Sequence, residues 1–114
     1  MMVYRGDIWL ANLNPTKKPN EVGKTIPVLV FQNNFLNKND FATTIVIPLS
    51  TKLIDDVEPL RLRIKARESL EKDSDLLVSQ IRAIDNSRFI EKIASLDSET
   101  MNKIKKLFDE IVED

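Results

Sequence analysis

Residues 21 to 34 read EVGKTIPVLVFQNN, and the expected fold turns on this stretch. A polar opening that holds Gly23, one of two glycines in the chain, gives way after Pro27 to the unbroken apolar run Val28–Phe31, closed by Gln32, Asn33 and Asn34. A β-branched run with polar flanks predicts a buried central strand. Pro27 fits as the first residue of that strand, where its missing N–H removes no ladder bond. A rigid strand fed by a polar loop is a common way to present chemistry.

Working outward, Asn14–Thr25 (NPTKKPNEVGKT) carries Pro15, Pro19, Gly23 and three lysines, the composition of a long turn-rich loop. Loops of this length inside a compact domain are usually functional or disordered. Upstream of it, Val3–Leu13 predicts a first strand, with Ile8 and Leu10 alternating with Asp7 and Trp9 and with Gly6 marking a bend. Trp9 fits a core or interface role better than a base-stacking one. Downstream, Asn34–Asp40 reads as a loop or a single helical turn, and Thr43–Leu49 as a third strand that ends at Ser50 and Thr51. A fourth strand follows, in which Leu60, Leu62 and Ile64 alternate with Arg61, Arg63 and Lys65; its basic face is expected to be solvated. A short strand is expected at Leu76–Val78, after which Ser79–Asp85 leads into Arg88–Ala94, another short strand or a turn. The last segment predicts a helix capped by Asp97 or Ser98, with Met101, Ile104, Leu107, Phe108 and Ile111 on one face and Lys103, Lys105 and Lys106 outside it.

With 114 residues the chain suits one domain, 1–114. Apolar residues at 42% and charged residues at 31% exclude wholesale disorder and a membrane span. No secretory signal is recognisable at the start, so the cytoplasm is the expected compartment. Net charge is −1, but residues 1–65 carry nine Lys/Arg against six Asp/Glu while the remainder carries eight against twelve. A basic front of this kind is compatible with a phosphate-binding face.

Cysteine and histidine are both absent. That removes thiolate nucleophiles, imidazole bases and most zinc sites, leaving carboxylates, Lys, Arg, hydroxyls and backbone dipoles to carry any reaction. No metal and no cofactor are expected. Asp55, Asp56 and Glu58 form the one tight acidic cluster and read as a solvated turn. Gly23-Lys24-Thr25 echoes the end of a phosphate-binding loop without its earlier glycine or following helix. Ser50 and Thr51 can hold a phosphate or close a turn. On these grounds alone the chain is a small, mostly β domain with a polar loop and a hydroxyl pair.

RGDIWLANLNP near the start, NEVGKTIPVLVFQNN, IVIPLST and QIRAIDNSRF occur in order along the chain, and together they resemble the MazF/PemK family of toxins from toxin–antitoxin pairs. The resemblance implies an α+β fold: a strongly curved antiparallel sheet, SH3-like barrel, with an amphipathic C-terminal helix. It also implies a homodimer that cleaves single-stranded RNA without metal, leaving a 2′,3′-cyclic phosphate and a 5′-hydroxyl. A small MazE-like antitoxin is the implied partner, its tail folding onto the RNA groove.

In the family pattern a hydroxyl at the end of the third strand and an arginine just before the second-strand proline stabilise the reacting phosphate. Ser50 matches the hydroxyl, with an implied hydrogen bond to the scissile phosphate. Ile26 stands at the arginine position. It cannot donate to a phosphate oxygen, and losing one such donor costs ~3 kcal/mol of transition-state stabilisation. Lys24, two residues earlier, offers charge without a bidentate fork. Glu21, Lys24 and Thr25 in the loop, with Gln80 and Arg82, are the implied RNA-binding residues; Arg82 also has a structural alternative, an ion pair with Asp85. Two further readings stay open: an inactive homologue that binds RNA or antitoxin, and a topoisomerase poison on the same fold.

Overall fold

The computed structural model describes residues 2–13, 25–39 and 41–114. Among these residues, seven strands and two α-helices follow one another as β1 (Asp7–Asn12), β2 (Thr25–Val30), α1 (Asn34–Lys38), β3 (Thr43–Ser50), β4 (Arg61–Ile64), β5 (Ser74–Leu77), β6 (Arg82–Asp85), β7 (Phe89–Ser95) and α2 (Ser98–Val112). The strands form one antiparallel sheet in the order β4-β5-β3-β2-β1-β7, with β6 paired to β3 beside that path. Among the described residues no helix is long and apolar enough to cross a membrane.

The run Val28–Val30 is central because both its faces are covered. Leu29 joins Ile8, Ile47, Leu76 and Ile104 in the main core, while Val28 and Val30 join Trp9, Val46, Ile84 and Phe89 on the other side. Alternation therefore persists in the side chains although the sequence is continuously apolar. Trp9 is a core residue, packed edge-on to Phe89 with ring centroids 5.7 Å apart. Its Nε1 donates to Asp7 Oδ2 at 3.3 Å. Gly6 ends the turn before β1 at φ +97°, a backbone region that L side chains rarely adopt.

The second strand begins earlier than the apolar run suggests. Thr25, Ile26 and Pro27 pair with Asn12, Ala11 and Leu10 of β1, so Pro27 lies inside β2 rather than at its first residue. It is tolerated because β2 pairs with β3 only from Val28 onward, leaving β2 without a strand partner among the described residues on that side at Pro27. A second proline acts similarly in β3. On the side away from β2, β3 pairs with β6 through Thr43–Val46 and with β5 through Leu49 and Ser50. Pro48, which has no N–H to give, sits in the gap where the partner changes.

Five spacings of a flat sheet would separate β4 from β7 by about 24 Å. Instead, Ser69 N–H, just beyond β4, donates to the Ile93 carbonyl of β7 at 2.9 Å, and Ser95 N–H donates to Glu68 Oε1 at 3.2 Å. The sheet is strongly rolled. Among the described residues β4 and β7 do not pair, so the barrel stays open and this turn bridges the seam. α2 covers the inner face with Met101, Ile104 and Leu107, and Asp97 caps it by accepting from Thr100 N–H at 2.7 Å.

Several expected boundaries shift. Leu76–Val78 becomes β5 over Ser74–Leu77, and Val78 opens a short 3-10 turn to Gln80. Arg82–Asp85, expected only as a lead-in, is a strand in its own right. Asn34–Lys38 forms a short helix capped by Asn33, whose side chain accepts from Leu36 N–H at 2.9 Å.

Candidate functional site

The partner change at Pro48 creates the groove of interest. β3 ends at Ser50 beside β5, and the 3-10 turn Val78–Gln80 carries the chain from β5 to β6, which brings Gln80 and Arg82 round to the same end of β3. The start of β2 and Leu13, just past the end of β1, form the opposite wall. The result is a cavity of about 640 Å³ lined by Thr25, Ile26, Pro27, Ser50, Thr51, Gln80 and Arg82, together with the apolar Leu13, Pro48, Leu49 and Leu77. Five sequence-predicted residues, Ser50, Ile26, Thr25, Gln80 and Arg82, thus share one groove. Glu21, Lys24 and most of the polar loop lie outside the described residues.

Ser50 is half-buried, and its Oγ accepts from Lys52 N–H at 3.1 Å. A serine hydroxyl has one proton and two lone pairs. With a lone pair engaged by Lys52, its proton remains available to a ligand in the groove. Arg82 is exposed on β6, opposite Val46, and makes no ion pair among the described residues. The alternative, an ion pair with Asp85, does not form, because residues three apart on a strand face opposite ways. Asp85 instead accepts from Ser87 N–H at 2.9 Å, a bond that holds its carboxyl below the ordinary range.

Ile26 does not stand free at the mouth of its strand. It is half-buried and packs against the outer cluster of Val28, Val30 and Phe89 as well as lining the groove. Its apolar side chain therefore serves the fold at a point where the groove lacks a donor.

The basic face of β4 is not simply solvated. Asp75 sits directly across from Ser50 on β3 and from Arg63 on β4. Its side chain is 1% exposed, yet it is charged and fully engaged. Arg63 Nε donates to Oδ1 at 2.6 Å, while Arg61 Nη1 and Ile54 N–H donate to Oδ2 at 3.2 and 2.8 Å. Burial alone pushes this carboxyl up, but the bonds from Arg63, Ile54 and Arg61 together outweigh it and hold it below the ordinary range. Arg63 is held above its usual value, first by Asp75 and then by Asp55, which accepts from Nη2 at 2.8 Å. Asp55 is thereby drawn out of the acidic turn Asp55–Glu58. One signal was present in the sequence: Asp75 stands directly before the apolar Leu76–Val78 segment, fourteen and twelve residues after the two arginines. The register that joins them was not visible there.

Comparison with known proteins matches residues 4–112 to a family model described as "PemK-like, MazF-like toxin of type II toxin-antitoxin system". The chain is 40% identical over 106 residues to the endoribonuclease EndoA of Bacillus subtilis, covering 91% of this chain and 89% of that protein. It is 34% identical over 110 residues to the endoribonuclease MazF of Staphylococcus saprophyticus, covering 95% and 89%. Among solved structures, a MazE-MazF crystal structure from Deinococcus radiodurans superimposes with a TM-score of 0.79 at 17% identity, covering 98% of this chain and 96% of that one.

Proposed function

This chain belongs to the PemK/MazF family of type II toxins, and from that premise we propose that it is a cytoplasmic endoribonuclease that cuts single-stranded RNA without a metal ion. The observation that carries the reading is the convergence of Ser50, Thr25, Gln80 and Arg82 on one groove. Its described walls offer hydroxyls, an amide and a guanidinium and no carboxylate, a donor set suited to a phosphodiester. The RNA supplies its own nucleophile. Its 2′-oxygen bonds to the neighbouring phosphorus as the P–O5′ bond breaks, and the proton lost at the 2′-hydroxyl is matched by one gained at the 5′-oxygen. The products are a 2′,3′-cyclic phosphate and a 5′-hydroxyl.

Ser50 donates to a non-bridging oxygen as charge grows on the phosphate, and Arg82 supplies the positive field. Thr25 and Gln80 hold the flanking nucleotides, with Glu21 and Lys24 contributing from the loop. Ser50→Ala and Arg82→Ala should each lower single-turnover cleavage by about 10²-fold, the scale of one lost transition-state donor. Unchanged rates in both variants would overturn the assignment. Ile26 favours a second reading, a scaffold that binds RNA or antitoxin but cleaves feebly; RNA affinity without cleavage would identify it.

The EndoA and MazF relatives support the endoribonuclease reading, and the MazE-MazF structure supports an antitoxin as partner. The antitoxin tail should occupy this groove and compete with RNA for Arg82. The unit is proposed to be one domain that assembles as a homodimer, with exposed Phe41 and Ile45 as candidates for burial. Sedimentation as a monomer at micromolar concentration would contradict that assembly.

A further inference from the structure

We propose that Asp75 is a positioning residue for the groove: with Arg61 and Arg63 it clamps the loop after β3 so that Ser50 presents its hydroxyl proton to the RNA. This rests on the reading of Ser50 given above. The segment Thr51–Glu58 forms no strand or helix and is exposed at nearly every residue, so its shape must come from elsewhere. It comes from the carboxylate. Asp75 Oδ2 takes Ile54 N–H at 2.8 Å and Arg61 Nη1 at 3.2 Å; the same Nη1 donates to the Lys52 carbonyl at 3.0 Å; and Arg63, bound to Oδ1, holds Asp55. Residues 52, 54 and 55 are thus tied to one buried charge.

Lys52 is the link to the chemistry. Its carbonyl is held by Arg61 and its N–H donates to Ser50 Oγ at 3.1 Å. The hydroxyl is therefore engaged as an acceptor by a loop that the clamp immobilises, which leaves its single proton to be donated. Without the clamp, Lys52 is free to turn away, and the Ser50 hydroxyl can spend its proton on water or on a nearby carbonyl. Asp75 never touches RNA in this scheme. It acts through Arg61, Lys52 and the strand pairing that sets Ser50 opposite it.

The test combines amide hydrogen exchange with a double-mutant cycle on the full chain. Asp75→Asn should speed exchange at the Lys52 amide, which Asp75 does not contact, by about tenfold or more while leaving Leu29 in the core unchanged. Single-turnover cleavage of a single-stranded RNA should fall by about tenfold in Asp75→Asn, and the same change made on top of Ser50→Ala should have no further effect. A purely structural role would lower both backgrounds alike and would overturn the proposal. So would unchanged exchange at Lys52, or faster exchange with undiminished cleavage. Arg61→Ala leaves Asp75 paired with Arg63 and should reproduce both effects if Asp75→Asn does not fold. Should Ile26 make cleavage too slow to time, the cycle is run in Ile26→Arg. If Ser50→Ala itself leaves the rate unchanged, the reading of Ser50 fails, and the Lys52 exchange alone then decides whether the clamp exists.

Discussion

Replacing Arg63 by alanine removes the shortest bond to a carboxylate that is 1% exposed, the 2.6 Å contact from Nε to Asp75 Oδ1. Breaking a buried ion pair from one side costs about 3–5 kcal/mol, because the remaining charge stays buried. Here Arg61 and Ile54 N–H still reach the other oxygen, so the loss should approach that of one charge-assisted hydrogen bond, about 2–3 kcal/mol. The contact with Asp55, whose side chain is 80% exposed, adds little. For a chain of 114 residues, unfolding entropy of about 2.1 cal/mol/K per residue converts this into a fall in Tm of roughly 10 °C. Thermal and urea unfolding followed by circular dichroism at pH 7 measures it. The pH dependence is a second check. Since Asp75 is depressed in the fold, the unfolded chain takes up its proton first as the solution is acidified. Its contribution is therefore full above about pH 4, the ordinary range of an aspartate, and is lost as pH falls through the folded value. The gap between parent and Arg63→Ala should close below that point. A loss under about 0.5 kcal/mol at pH 7, the range of an ordinary surface change, would show that Asp75 is neutral or solvated and would refute the clamp.

Ile26→Arg should raise cleavage by about 10²-fold or more by adding a donor at the groove, measured under single turnover. Because Ile26 packs against the outer cluster, the same change should cost about 1 kcal/mol of stability through lost apolar burial; an equally slow variant would mean that Arg82 or the loop already supplies the charge. Ile104→Ala, at a fully buried position of α2, should destabilise by about 2–5 kcal/mol, and a urea midpoint close to the parent's would show that α2 is not seated on the sheet.

How much could be read beforehand depended on whether a residue's environment is local. β2, β3 and α2 announce themselves: an unbroken apolar run, a run ended by Pro-Leu-Ser-Thr, and an aspartate before a three-and-four repeat. β6 does not, since Arg82, Ala83 and Asp85 are exposed and only Ile84 is buried. It is a strand because β3 offers a free edge there, a fact held in another part of the chain. The basic face of β4 was misread for the same reason, its counter-charge lying in β5. Ser50 was picked out by its place at a strand end and by resemblance, Gln80 and Arg82 by resemblance alone, but their meeting depends on the partner switch at Pro48 and on the 3-10 turn after β5. The stability expectation for Ile26 also needed the fold, because only the rolled sheet shows the outer cluster against which it packs.

Metal-free RNA cleavage is the activity proposed for the Ser50–Arg82 groove. It is tested most directly by incubating the purified chain, and Ile26→Arg beside it, with a long single-stranded RNA in EDTA and analysing the ends produced. The cuts should carry a 2′,3′-cyclic phosphate and a 5′-hydroxyl, and form faster in Ile26→Arg and slower when Ser50 is replaced by alanine. Cleavage that needs an added divalent cation, ends that carry a 5′-phosphate, or intact RNA with both proteins would contradict it.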